Sequence, residues 1–235
     1  MPHDGNGLQS GYARATSSLL ELRRGQPGER ADAARNRAAV LEAAARLFKE
    51  HGVAAVSMDA VAAAAGVGKG TLFRRFGDKS GLAAALLDER ERELQDRILF
   101  GPAPLGPGES EEETPRPQDR LVAFVEAYLD YVLEHLDLVR VSETASPGAR
   151  YRIGAYRFWH RHVASLLSLE RPDVDADALA HTLLAPLAAE HLTAVVAELG
   201  ADRARMATLA VVRASLRPGG GAQPTPRAAD KRGEC

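Results

Sequence analysis

Apolar residues in this chain recur at three- and four-residue steps, and no run alternates Val, Ile or Thr with polar residues as a strand would. That periodicity restricts the fold to helices packed on helices. The 43 alanines point the same way, because alanine is the strongest helix former. They also bear on the arginines. Of the 30 basic residues only Lys49, Lys69, Lys79 and Lys231 are lysines, the mark of a G·C-rich coding bias, so arginine abundance alone is no argument for phosphate binding. No apolar run approaches the ~18–20 residues of a membrane span. The first thirty residues lack the apolar core of a secretion signal, so neither membrane insertion nor secretion is expected. Cys235 is the one cysteine, which excludes an intrachain disulfide and a cysteine metal site.

Punctuation divides the 235 residues. Residues 1–29 are Gly/Ser-rich and weakly patterned, and are expected to be a disordered arm. The rival reading is a basic arm near Arg23 and Arg24 that touches a minor groove. Residues 217–235 have the Pro/Gly density of a solvated tail, and 101–118 (GPAPLGPGESEEETPRPQ) that of a mobile loop. Helices are expected at 32–51, at 58–65 behind a Ser57 cap, at 69–76, and from an Asp78 cap to about residue 100. In the last of these the run DERERELQDR suits a solvated face. Gly52, Gly66 and Gly77 close the first three. Three helices between 30 and 80, the last two joined by a tight glycine turn, have the layout of a helix-turn-helix.

The chemistry concentrates in 58–79, MDAVAAAAGVGKGTLFRRFGDK. A nucleotide-binding loop would need glycine in place of Ala63, Ser or Thr in place of Gly70, and a preceding strand; it has none of these. A turn followed by a recognition helix accounts for the same residues. Gly66 supplies the left-handed backbone of a sharp turn. With Leu72 and Phe76 inward, the helix presents Lys69, Gly70, Thr71, Phe73, Arg74 and Arg75 outward. An exposed aromatic among hydrogen-bonding and cationic groups is costly on an ordinary surface but useful in a major groove, against base edges and thymine methyls. Gly70 lets a helix N-terminus approach phosphate. Lys79 is placed as a phosphate anchor that sets docking angle without reading sequence, and Arg37 as a further phosphate contact or a plain surface arginine.

The run RNRAAVLEAAARLFKEHGVAAVSMDAVAAAAGVGKGTLFRRFGDKSGLAAALL closely resembles the DNA-binding domain of the tetracycline-repressor (TetR) family of bacterial regulators. The likeness is carried by Leu47-Phe48 with Gly52, by Ala64-Ala65-Gly66-Val67, by Gly70-Thr71-Leu72-Phe73, and by Phe76, Lys79 and Leu82; it covers about 32–90. It implies an all-α homodimer in which three short helices bind a palindromic operator on double-stranded DNA, while a variable C-terminal domain dimerises and holds a small-molecule effector. It implies DNA contacts from Ser57, Lys69, Thr71, Phe73, Arg74, Arg75 and Lys79. Phe73 departs from the tyrosine usual there and cannot give its hydroxyl to a phosphate. A cytoplasmic, nucleoid-associated bacterial protein is expected.

Residues 81–216, expected to bind ligand and dimerise, match the family in architecture only. Seven of the twelve aromatic residues fall between 124 and 159. Phe124, Tyr128, Tyr131 and His135 share one helix face, and Tyr156, Trp159 and His160 another, so the two are read as a mostly apolar pocket with polar tips. Helices at 175–199, bent at Pro186, and 201–216 are expected to expose Leu179, Leu183, Leu187, Val195, Leu199, Met206, Leu209 and Val212 as a dimer interface. His160 and His162, two apart, point to different sides of a helix with no carboxylate evident beside them, so no metal and no cofactor are expected. No nucleophile–base pairing marks an enzyme. The expected function is a dimeric repressor released from its operator by a ligand. The alternatives are an activator with the same contacts, or a ligand-binding helical dimer with a vestigial head. Charge fits the first: 30–80 carries nine basic and five acidic residues, a net +4, while 81–235 carries 18 and 24, a net −6.

Overall fold

The computed structural model describes residues 31–217 apart from Glu111, so the expected arm at 1–29 and nearly all of the expected tail lie outside the described residues. Among the described residues eleven α-helices follow one another: α1 Ala31–His51, α2 Met58–Ala64, α3 Lys69–Phe76, α4 Lys79–Phe100, α5 Pro117–Glu134, α6 Leu136–Glu143, the single turn α7 Ala149–Arg152, α8 Gly154–Glu170, α9 Ala176–Leu184, α10 Ala189–Leu199 and α11 Ala201–Ser215. A 3-10 turn, Ala185–Leu187, separates α9 from α10. No strand occurs among the described residues.

Local chemistry sets the ends of the first four helices. The Ser57 hydroxyl accepts the Ala60 N–H at 3.1 Å, which starts α2. Gly66 and Gly77 take φ of +65° and +74°, the left-handed backbone that turns α2 into α3 and stops α3. The Asp78 carboxylate accepts from the N–H groups of Ser80 and Gly81, both at 2.9 Å, and caps α4. The Gly81 bond is the larger cause holding that carboxyl below its ordinary pKa. Gly81 itself is dictated by packing: a Cβ there would lie 1.9 Å from the Phe76 carbonyl oxygen.

Two apolar cores result. The head core gathers Val40, Ala44, Phe48, Val61, Leu72, Phe76 and Leu82 from α1 to the start of α4. The body core runs along α5 and α8, where Phe124, Leu121, Leu129, Phe158, Leu166 and Leu167 are fully buried. Leu138 of α6 packs against both. Arg120, itself buried, donates to the carbonyls of Ile98 at 2.8 Å and Leu105 at 3.3 Å, so it caps the end of α4 and pins the 101–118 loop. Leu105 of that loop is buried.

Three expectations for the body need correction. The helix expected around 119–137 ends at Glu134, where His135 departs from helical geometry and starts α6. The helix expected at 175–199 is two, which cross at 47°. Pro186 sets the break, since it has no N–H and its ring excludes the helical path. Arg150 and Glu143 hold the broken ends: Arg150 donates to the Leu184 carbonyl at 3.0 Å, Glu143 accepts the Ala189 N–H at 2.9 Å, and the two side chains pair with each other. Of the residues expected to be exposed on the last helices, Leu183, Leu187, Leu209 and Val212 are buried within the protomer; Leu199, Met206 and Val211 form the exposed apolar set. No single helix among the described residues is long and apolar enough to cross a membrane.

Candidate DNA interface and effector cavity

Leu72 and Phe76, four residues apart, anchor α3 in the head core and turn its other face to solvent. Lys69, Gly70, Thr71, Phe73 and Arg74 are exposed, and Arg75 is half-buried. Phe73 keeps 39% of its surface in solvent, an unusual position for a ring with no hydroxyl. A Cβ at Gly70 would meet nothing within 4 Å, so the protein itself imposes no glycine there.

The polar residues on this face are not equivalent. Lys69 pairs with Asp59 across the turn at 2.6 Å. Ser57 is committed to its cap. Arg37 faces Asp88 of α4 at 3.7 Å and so lies on the junction between head and α4. The Lys79 ammonium donates to the carbonyls of Val53 at 2.9 Å and Ala54 at 3.0 Å, which ties the end of α1 to the start of α4. Two of its three N–H bonds are thus spent on the fold, and one is left to turn outward.

Residues 40–86 match the family described as bacterial regulatory proteins, tetR family. The head is thus similar to the DNA-binding domain of that family. An HTH-type transcriptional regulator of Staphylococcus aureus (strain USA300) is 49% identical over 53 residues, which are 23% of this chain and 29% of that protein. The chain thus spans less than a third of the length of the curated relatives it matches. A TetR-family transcriptional regulator from Pectobacterium atrosepticum shares the architecture with a TM-score of 0.56 and 26% identity, covering 81% of this chain and 96% of that one. A protein from Saccharomonospora viridis, solved in complex with choline, has a TM-score of 0.51 and 23% identity over 75% of this chain and 95% of that one.

Within the body, Tyr128 and Tyr131 from α5 and Tyr156 and Trp159 from α8 converge on one small cavity, which α4 and α6 close. Its free space is about 20 Å³, about one water's worth. Phe124, His135 and His160 do not line it. Phe124 is packed among the rings of Tyr128, Trp159 and His162, while His135 lies edge-on to Tyr131 and His160 stacks on Tyr156. Sequence reasoning missed the cavity's charged residues. Glu91 of α4 accepts from the Tyr131 hydroxyl at 3.0 Å, and burial pushes its carboxyl up to about 7. It makes no ion pair among the described residues. Glu143 and Arg150, the pair at the Pro186 break, also line the cavity, and burial raises the Glu143 carboxyl while Arg150 opposes the rise.

Proposed function

We propose that this chain is a dimeric transcriptional repressor whose operator affinity is lowered by a small cationic effector bound beside Glu91. The observation that carries the DNA reading is the solvent face of α3: a bare phenylalanine flanked by Lys69, Thr71 and Arg74, on a head of net positive charge. Exposed Leu199, Met206 and Val211 on α10 and α11 support a symmetric dimer, which would set two α3 helices about one duplex turn (~34 Å) apart on a palindrome. The body supports ligand control. An organic cation is favoured by Glu91, a carboxylate with no ion-pair partner among the described residues, beside the rings of Tyr128, Tyr131 and Trp159, while the Arg150 charge in the same cavity is balanced by Glu143. One water's worth of space means that such a ligand enters only if α4 or α6 shifts. The α4 helix begins at Lys79, in the head, so the shift reaches the recognition helices. A coupling of about 1–3 kcal/mol would lower operator affinity roughly 5–150-fold.

The test is footprinting of the purified protein on the DNA upstream of its own gene, followed by gel shifts with choline or hexanoate added. A protected palindrome released by choline and not by hexanoate is expected. Absence of any protected site overturns the DNA reading; equal release by both ligands overturns the cationic effector.

A further inference from the structure

We propose that His160, Asp177 and His181 form a binding site for a divalent transition metal such as zinc, on the outer edge of the body where α8 meets α9. Asp177 and His181 are four residues apart on α9 and share a face. His160 comes to them from α8. Its Nε2 stands 3.8 Å from the Asp177 carboxylate and 3.1 Å from the Asp177 carbonyl oxygen. One donor atom from each residue lies within 4.8 Å of the other two. A tetrahedral ion holding its ligands at about 2.0–2.1 Å keeps neighbouring donors roughly 3.3 Å apart. The site therefore closes by side-chain shifts of about an ångström, and two of the three residues are exposed and free to make them.

The surroundings favour the same reading. The Tyr156 hydroxyl lies 2.7 Å from His181 Nδ1, an outer partner that fixes this ring and leaves Nε2 for an ion. The two imidazoles stack with centroids 3.8 Å apart, so they are already gathered without an ion and need only turn their nitrogens toward it. No lysine or arginine forms an ion pair with Asp177 among the described residues. Two imidazoles and one carboxylate suit zinc, cobalt or nickel and not calcium or magnesium, which prefer oxygen ligands. His162 takes no part: it faces inward, edge-on to Phe124. The carboxylate that the sequence around His160 lacks arrives from the next helix.

The experiment uses the full chain, stripped with a chelator and titrated with zinc by calorimetry and with cobalt by visible absorption. One ion per protomer is expected, with cobalt giving the intense bands of tetrahedral coordination. His181→Ala and Asp177→Asn alter exposed side chains and should keep the circular dichroism spectrum while weakening zinc at least tenfold. His160→Ala should do likewise. An unchanged zinc isotherm in the Asp177→Asn/His181→Ala double variant means the ion sits elsewhere and overturns the site, as does the absence of binding to the wild-type chain.

Discussion

The head and the body bury their apolar residues with the same helical logic, yet they place function in opposite ways. In the head, the proposed DNA face is the outside of one eight-residue helix whose inner face is packed, so site and core would be two faces of a single local pattern. In the body, the cavity residues belong to five helices and run from Leu87 to Trp159 in sequence. A site made within one helix is carried by its motif. A site made between helices exists only after they pack. The comparison says that the head should tolerate loss of its functional side chains without loss of stability, and that the body should not.

The largest expected effect breaks the body. Phe124→Ala removes a fully buried ring against Tyr128, Trp159 and His162 and should cost about 3–5 kcal/mol in denaturant unfolding. Protein that remains folded should bind its operator normally, since Phe124 belongs to the body core and not to the head core. A matching loss of operator affinity in the folded fraction would mean that the two cores are one mechanical unit. The next effect strikes the joint. Gly81→Ala forces a Cβ onto the carbonyl of Phe76, the last residue of α3, just before α4. It should destabilise the chain by about 1–3 kcal/mol. It should also weaken operator binding by tilting α3, which a footprinting titration at a temperature well below the unfolding midpoint would detect.

The contrast explains what could be read before the structure was known. The head helices were legible within about a residue because Ser57, Gly66, Gly77 and Asp78 act on neighbours two to four positions away. Lys79 was legible only as a cation; that two of its protons hold Val53 and Ala54 depends on a contact 26 residues back. Glu91 was hidden inside DERERELQDR, where acidic and basic residues pair on a solvated face, as Asp88 with Arg92 and Arg90 with Glu93 in fact do. Which single acid of that run turns inward is decided by Tyr131, forty residues away. The exposed face of α10 and α11 was misread for a related reason. The apolar stripes were real, but packing within the protomer buries half of their residues, among them Leu209 and Val212 of α11.

At the DNA face the comparison predicts the reverse of Phe124. Arg74→Ala should leave the unfolding midpoint within the scatter of ordinary surface substitutions, about ±0.5 kcal/mol. It should weaken operator binding by about 1–3 kcal/mol if it reads a base, or lower the salt slope by about one if it meets a phosphate. An unchanged isotherm would remove it from the interface.

Glu91 offers a pH test of a cavity kept at some cost to stability. Its carboxyl is raised to about 7 in the fold by burial, against about 4.3 in an unfolded chain. The folded state therefore keeps a proton that the unfolded state has shed, and stability falls as pH rises from about 4.5 to about 7, then stays level. Glu91→Gln should remove that slope and make the protein about 1–2 kcal/mol more stable at pH 8, with little change at pH 4. A gain of equal size at both pH values would mean that shape and not charge is responsible.

The smallest effect expected is at Asp59. Its pair with Lys69 is exposed on both sides, with 63% and 59% of the side-chain surfaces in solvent, so its loss should cost under about 1 kcal/mol. Yet Asp59 is a negative charge beside the proposed DNA face, and it holds the ammonium of the first residue of α3. Asp59→Asn should therefore raise operator affinity severalfold at low salt while leaving stability almost untouched, and the gain should shrink as salt rises and screens the charge. A fall in affinity would give Asp59 a different task, that of aiming Lys69 at the DNA, and would show that even in the head an exposed ion pair can be part of the site's geometry.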